Sequence, residues 1–273
     1  MYSPTQLQAL CRQFGIRPQR RRGQNFVIDQ HLIDRMLQAA EIDSEHPILE
    51  IGPGFGVLTE ALVQKASQVI AIELEKKLAE HLQKRFSSQK NLTIVQNDFR
   101  FTDLAALGLQ EAAYDVVANL PYQITSLVIR RLCSTHPRPR RITLLVQKEV
   151  AERIIAPSGE ASTLSIAVAF YAQAKLVRTV SPAAFWPRPQ VKSAILRLDL
   201  HSTIPNVDEK RFFSIVRSAF QGKRKKLRNS LASVLGVEPI KVEEILRKQG
   251  INPEVRAQDL SLENWLTIAQ EKL

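Results

Sequence analysis

The stretch "PILEIGPGFGVLTEALVQKASQVIAIE" at residues 47–73 decides how the chain folds. Its apolar run at 47–52 predicts a β-strand, residues 57–66 follow a helical pattern, and the run at 69–73 predicts a second strand. A helix between two strands carries the chain back along the sheet, so the two strands should pair in parallel. The stretch therefore predicts the first βαβ unit of an α/β domain.

The same alternation continues to about residue 199. We predict further strands at 92–96, 114–119 and 141–147, with helices near 75–86, near 124–134 and from residue 148. This order predicts a parallel sheet with helices on both faces. Two later runs, "LSIAVAFYA" (164–172) and "VKSAILRLDL" (191–200), have no long helix between them. We expect them to form an antiparallel pair of strands at one edge of the sheet.

The pattern changes after residues 201–208. Short amphipathic helices are predicted at 209–221, 224–235, 240–249 and 261–271, separated by glycine and proline. We therefore predict two domains, an α/β domain at 1–200 that starts with a basic arm at 1–22, and a small all-α domain at 201–273.

The charge of the chain indicates the class of partner. The formal net charge is +11 and the isoelectric point is near 9.9. Residues 1–22 contain five arginines and no acid, arginines cluster at 138–141, and "KRKKLR" occupies 223–228. One basic run is commonly a solvated surface, but three such runs favour a polyanion such as a nucleic acid.

Other features of the composition exclude several classes. Two widely separated cysteines argue against a disulfide framework and a cysteine zinc site, and they suit a reducing compartment. The five histidines lack metal-ligand spacing, so we expect no metal. The longest apolar run, 164–172, is too short for a membrane span. The chain does not open with a hydrophobic segment, so we expect no secretion signal.

A glycine-rich turn follows the first predicted strand. Gly52, Gly54 and Gly56 leave room for the backbone to approach a ligand, although such glycines can also serve only a tight turn. A dinucleotide fingerprint has its third glycine one position later, where this chain has Val57. This difference argues against a pyrophosphate and favours a smaller cofactor that carries adenosine.

Two acids end the next two strands. Glu73 can accept hydrogen bonds from both ribose hydroxyls, and Asp98 can accept one from an adenine amino group. Either acid alone would more commonly be a surface residue. Together at successive strand ends they predict a nucleoside pocket that suits S-adenosylmethionine, because this cofactor offers adenine and ribose but no phosphate.

The run "DVVANLPYQI" (115–124) ends the fourth strand in the same crevice. The Asn119 side-chain carbonyl and the backbone carbonyl of Leu120 or Pro121 can accept both hydrogens of an exocyclic amine, whose lone pair then points at a methyl donor. Tyr122 offers a flat face to the target base. A plain turn of Asn and Pro is the alternative interpretation.

Phe185, in "SPAAFWPRPQVKSAIL" (181–196), is a second candidate aromatic. We expect its ring to sandwich the base from the side opposite Tyr122. Packing of Phe185 in the hydrophobic core is the alternative that the sequence leaves open.

These residues resemble a known family, the ribosomal RNA adenine N6,N6-dimethyltransferases of the KsgA type. The similarity rests on seven stretches: "RRRGQNFVID" (20–29), "ILEIGPGFGVLT" (48–59), "VIAIE" (69–73), "NLPYQI" (119–124), "LLVQKEVAERI" (144–154), "FWPRPQVKSAILRL" (185–198) and "AFQGKRKKLRNSL" (219–231). It implies a Rossmann-like class I methyltransferase fold, S-adenosylmethionine as cofactor and S-adenosylhomocysteine as product. The implied substrate is a pair of adjacent adenosines in a hairpin loop near the 3′ end of small-subunit rRNA.

The resemblance also implies roles for residues. Gln24, Asn25 and Val27 would reach over the methionine part of the cofactor, and Gly52 and Gly54 would line its chain. Asn119, besides its reactive role, would border the cofactor. The family more commonly has Leu at position 27 and Asn at position 123, where this chain has Val27 and Gln123, and both changes are conservative.

Basic residues would hold RNA phosphates, and the small helical domain would select the RNA. The candidates are Arg20, Arg21, Arg22, Lys223, Arg224, Lys225, Lys226 and Arg228. Three rivals remain open: the sister branch that methylates large-subunit rRNA, an N6-adenine DNA methyltransferase, and an assembly factor that only binds. We expect a monomer in the cytoplasm, with an organelle interior as the alternative because the acid-free start resembles a transit peptide.

Overall fold

The computed structural model describes residues 1–16, 18, 24–221 and 226–271. They divide into two compact units. The sheet unit comprises Met1–Ala151 and Ala172–His201, and the helical unit comprises Glu152–Tyr171 and Ser202–Leu273. The sequence placed one boundary near residue 200, whereas in the structure residues 152–171 also group with the helical unit.

The sheet unit is built on a seven-stranded sheet with the order β4-β3-β2-β5-β6-β9-β7. The strands are β1 (Phe26–Val27), β2 (Ile48–Ile51), β3 (Val69–Glu73), β4 (Leu92–Gln96), β5 (Asp115–Asn119), β6 (Arg141–Gln147), β7 (Ala172–Val180), β8 (Phe185–Trp186) and β9 (Ser193–Leu200). Strands β2 to β6 are parallel, β9 is antiparallel to β6, and β7 is antiparallel to β9. The predicted parallel sheet with an antiparallel edge is confirmed.

Six α-helices begin among the described residues of the sheet unit. They are α1 (Pro4–Gln13), α2 (Gln30–Ala40), α3 (Val57–Val63), α4 (Lys76–Arg85), α5 (Thr125–Ser134) and α6 (Lys148–Ile154). Strands β2 and β3 are fully buried, which explains their continuous apolar sequences. Ile33 and Met36 of α2 pack in the same core cluster as Val117 of β5 and Leu145 of β6. One cluster of the hydrophobic core therefore lies between α2 and the middle of the sheet.

Helix α1 was not predicted, because residues 1–22 were interpreted as a basic arm. Ser3 and Gln6 form a capping box at its start, with Pro4 in the first turn. Leu7 and Cys11 are buried against Phe55 of the glycine-rich turn. The described start of the chain is thus a packed helix, and the capping box was the sequence signal for it.

The expected strand at 164–172 is wrong. Residues Thr163–Tyr171 form helix α7, and the edge strand β7 follows at Ala172–Val180. A uniformly apolar run has no period that separates a buried helix from a buried strand. The helix starts where Ser162 and Ser165 exchange hydrogen bonds, Ser165 N to Ser162 Oγ at 3.1 Å and Ser162 N to Ser165 Oγ at 2.7 Å.

The helical unit contains α7 and four later helices. These are α8 (Glu209–Gln221), α9 (Leu227–Leu235), α10 (Pro239–Lys248) and α11 (Leu262–Gln270), close to the predicted bounds. Phe170 of α7 packs against Phe212 and Phe213 of α8, with ring centroids 4.7 and 5.1 Å apart. These aromatic contacts explain why the segment at 152–171, which precedes β7 and β9 in the sequence, belongs to the helical unit.

The arginine cluster at 138–141 stabilises the fold. Arg138, Arg140 and Arg141 are all ion-paired with carboxylates. Arg140 donates to Asp115 Oδ2 and to Asp43 Oδ2, each at 2.7 Å, and the Asp115 side chain is only 2% exposed. This cluster therefore is not the free basic surface that its sequence suggested.

We predict that Arg140→Gln lowers the free energy of unfolding by roughly 3 kcal/mol, because the buried Asp115 carboxylate loses its partner. Lys76→Gln is the control, since its pair with Glu80 is highly exposed and should contribute less than about 1 kcal/mol. Urea unfolding of both variants measures the difference. Equal losses would show that the Asp115 pair is not structural.

Candidate active site

A cleft opens where the carboxyl ends of β2, β3 and β5 meet. Most of the predicted cofactor and reactive residues line it: Gln24, Asn25, Val27, Gly52, Gly54, Glu73, Asn119, Leu120 and Pro121. Parallel strands place their carboxyl ends at the same edge, which is why residues distant in sequence converge here. Asp98, Tyr122 and Phe185 are not among the lining residues.

The glycine-rich turn shapes one wall of the cleft. Gly52, Gly54 and Gly56 all have positive φ, at 70°, 60° and 79°. A Cβ on Gly56 would lie 2.7 Å from side-chain atoms of Leu82 and Phe86, so this glycine is needed for packing on α4. A Cβ on Gly52 would meet nothing within 4 Å, which leaves open space for a ligand.

Glu73 is held rigidly at the end of β3. Its Oε2 accepts from Gly54 N at 3.0 Å, and its Oε1 accepts from Glu75 N at 2.9 Å. Burial raises the pKa of Glu73, and the backbone N–H groups partly oppose this shift. Each carboxylate oxygen can still accept a further hydrogen bond, as a ribose with two hydroxyls requires.

Glu50 is a cleft residue that the sequence reasoning missed. It lies within the apolar strand β2 and is buried, and Thr59 Oγ1 donates to its Oε2 at 2.7 Å. Burial raises the pKa of Glu50 to about 8, and the neighbouring Glu73 adds to the shift. The available signal was an acid inside the otherwise apolar "ILEI".

Asn119 is oriented by a contact across the cleft. Its Nδ2 donates to the backbone carbonyl of Asn25 at 3.0 Å. Within the part of the chain that the structure describes, nothing donates to Asn119 Oδ1. The carboxamide therefore keeps an acceptor available beside Leu120 and Pro121.

Tyr122 and Phe185, the two aromatic residues predicted to stack on the target base, differ in their burial. Tyr122 is half-buried, and its hydroxyl lies 2.7 Å from Ser193 Oγ, so its ring position is fixed. Phe185 is 2% exposed and packs with Val27 and Ile33 in the core. Phe185 thus packs in the hydrophobic core, the alternative that the sequence left open, and stacking of a base on either ring stays a prediction.

Asp98 is engaged by a neighbour. Arg100 Nε donates to Asp98 Oδ1 at 3.0 Å and Oδ2 at 2.9 Å, and this pairing lowers the pKa of Asp98. The adenine contact proposed for Asp98 would have to share its oxygens with Arg100.

The predicted RNA-binding residues are only partly described. Lys226 is ion-paired with Glu254, and Arg228 pairs with Glu243 at 2.7 Å. Arg20, Arg21, Arg22, Lys223, Arg224 and Lys225 lie outside the described residues.

Arg85 of α4 ties the glycine-rich turn to its surroundings. Its Nη1 donates to Phe55 O at 2.6 Å, and its Nη2 donates to Glu60 Oε2 at 2.9 Å. The guanidinium also lies 5.0 Å from the Tyr2 ring centroid, next to α1. Arg85 therefore holds the glycine-rich turn against α4 and α1, a role that the local sequence did not reveal.

A metal-binding cluster and a membrane-spanning helix are both absent from the part of the chain that the structure describes. The described residues contain no group of three or more His, Cys, Asp or Glu side chains able to hold a metal. Among the same residues, none of the helices is sufficiently long and apolar to cross a membrane.

Comparison with protein families gives a match over most of the chain. A family model described as ribosomal RNA adenine dimethylase matches residues 16–272. A ribosomal RNA small subunit methyltransferase A from Dehalococcoides mccartyi is 39% identical over 254 residues, 92% of this chain and 87% of the relative. A protein of the same name from Clostridium botulinum is 38% identical over 89% of this chain and 90% of the relative.

Solved structures with the same fold include two close matches. A dimethyladenosine transferase from Plasmodium falciparum superposes with a TM-score of 0.75 at 25% identity, covering 89% of this chain and 95% of that one. The 23S rRNA methyltransferase ErmE superposes with a TM-score of 0.71 at 28% identity, covering 90% and 98%.

We predict that Glu50→Gln changes how stability depends on pH. The raised pKa of Glu50 means that ionisation favours the unfolded chain, so wild-type stability should fall from about pH 4.5 to about pH 8. Melting temperatures without cofactor should therefore fall less steeply for Glu50→Gln over this range.

Glu80→Gln is the matched control, because Glu80 is exposed on α4. It should follow the wild-type curve. Parallel curves for all three proteins would contradict the assigned environment of Glu50.

Proposed function

Because the chain belongs to the ribosomal RNA adenine dimethylase family, we propose that its substrate is a pair of adjacent adenosines in the 3′-terminal hairpin loop of small-subunit rRNA. The chain is an S-adenosylmethionine-dependent rRNA methyltransferase with the class I fold. Four methyl transfers would give two N6,N6-dimethyladenosines in each rRNA. The reaction would belong to biogenesis of the small subunit.

The choice of small-subunit rRNA is supported by similarity. Relatives named for the small subunit reach 38–39% identity, whereas the 23S rRNA enzyme shares the fold at 28%. We also propose that the helical unit selects the RNA, and that the enzyme acts as a monomer in the cytoplasm.

The cofactor fits the chemistry of the cleft. Glu73 supplies fixed acceptors for ribose hydroxyls, and Gly52 leaves open space beside it. Residues 24–27 also line the cleft, and the methionine part of the cofactor would lie beside them. When bound, S-adenosylmethionine supplies an electrophilic methyl group on a sulfonium.

The orientation of Asn119 is the observation that carries the mechanism. The lone pair of an adenine N6 amine is delocalised into the ring, so the amine is a poor nucleophile. Asn119 Oδ1, left available by the bond from Nδ2 to Asn25 O, would accept one N6 hydrogen. The Leu120 backbone carbonyl would accept the other, which favours a tetrahedral nitrogen aimed at the donor.

The steps that follow the first methyl transfer need few additional chemical groups. After the first transfer N6 retains one hydrogen, which the same acceptors can hold for the second transfer. The alkylated nitrogen loses its proton readily, so no strong general base is required. Tyr122 would support the base, which must be unpaired or splayed out to enter the site.

A methylation assay with three alternative substrates distinguishes the proposed function from the other candidate functions. The protein is incubated with methyl-labelled S-adenosylmethionine and under-methylated small subunits, large subunits or DNA. We expect label only in small-subunit rRNA, as N6,N6-dimethyladenosine at two neighbouring positions. Label confined to large subunits or DNA would overturn the proposal, and bound cofactor without any transfer would favour a pure binding role.

We predict that Asn119→Ala lowers kcat by at least about 100-fold, because the acceptor that orients N6 is lost. The affinity for S-adenosylmethionine should stay within about threefold, since Glu73 and the glycine-rich turn are untouched. Single-turnover kinetics and calorimetry measure the two quantities. Turnover at the wild-type rate would refute the role of Asn119.

A further inference from the structure

The segment "KLVRTVSPAAFWPRPQVK" at 175–192 carries four cations and no acid. They are Lys175, Arg178, Arg188 and Lys192, and all four are exposed. An acid-free basic segment of this length in a protein that acts on RNA is a candidate phosphate contact.

These four cations lack the carboxylate partners that the described cations of the other basic runs have. No carboxylate lies within ion-pair distance of any of the four in the part of the chain that the structure describes. By contrast, the arginines at 138–141 and the pair Lys226 and Arg228 are all ion-paired. The charge of the segment is therefore available to an external anion.

The register of the sheet places the end of β7 and the start of β9 at the edge that holds the active site, whereas Lys175 lies five residues before the end of β7. Asn119 is opposite Leu145 of β6, and Leu145 is opposite Ile195 of β9. Ser193 lies two residues beyond Ile195, towards the carboxyl edge, and pairs with Val180 at the end of β7. Two strand spacings separate β5 from β9, roughly 10 Å, and three separate β5 from β7, which carries Lys175 and Arg178, roughly 14 Å.

The segment is anchored to the sheet unit at several points, and the residue that follows it contacts Tyr122. Strand β8 pairs with β1, so that Phe185 is opposite Val27. The Ser193 hydroxyl contacts the Tyr122 hydroxyl at 2.7 Å, and Lys148 N donates to Lys192 O at 3.0 Å. Arg188 and Lys192 are thus held at a defined place beside the target-base site.

We infer that Lys175, Arg178, Arg188 and Lys192 form a phosphate-binding track on the sheet unit that holds the RNA backbone flanking the target adenosine. This inference rests on the proposed function in taking rRNA as the substrate. The track consists of residues other than those predicted at 20–22 and 223–228, and it would fix the splayed nucleotide relative to Asn119.

Two double variants test the track, Arg188→Gln/Lys192→Gln and Lys175→Gln/Arg178→Gln. The matched control is Lys65→Gln/Lys90→Gln, which removes the same charge from exposed residues preceding β3 and β4, at the amino edge of the sheet. Binding to under-methylated small subunits is measured from 50 to 200 mM salt, together with KM for the subunits and Kd for S-adenosylmethionine.

Each track variant should bind subunits roughly tenfold more weakly at 100 mM salt and lose about two units of the salt slope. KM should rise in step, while cofactor affinity and melting temperature match those of wild type. The control should keep the wild-type slope. Track variants that behave like the control would overturn the inference while wild type still methylates the subunits, whereas a wild type that methylates none would overturn the proposed function instead.

Discussion

The parallel pairing of β2 with β3 and β5 is the constraint on which the active site depends. It brings Gly52, Glu73 and Asn119 to one edge, although they are far apart in the sequence. The hydrogen bond from Asn119 Nδ2 to Asn25 O then connects two residues of the cleft that are 94 positions apart in the sequence. In the proposed mechanism, the same amide would present its oxygen to the substrate.

Local patterns in the sequence were sufficient for the sheet and for much of the cleft. Strand ends and glycines are encoded within a few residues, so Gly52, Glu73 and Asn119 were predictable. Helix α7 was not, because its run is apolar on all sides and lacks a period. The burial of Phe185 was also hidden, since it depends on the packing of β8 beside α2 rather than on neighbouring residues.

The positive charge of the chain is a second case in which contacts between distant residues could not be predicted from the local sequence. A count of arginines and lysines indicated a polyanionic partner, but it could not separate paired from unpaired cations. In the structure the cluster at 138–141 neutralises carboxylates such as Asp115, which come from other strands and loops. The segment at 175–192 has no such partners among the described residues, and its charge was less conspicuous because proline and apolar residues separate its cations.

A crystal structure of the enzyme with S-adenosylhomocysteine and adenosine tests the central claim most directly. The account predicts adenine N6 within about 3 Å of Asn119 Oδ1, with Nδ2 still bonded to Asn25 O and ribose of the cofactor on Glu73. An Asn119 carboxamide turned away from the adenosine, or a cofactor bound outside the cleft between β2, β3 and β5, would contradict it.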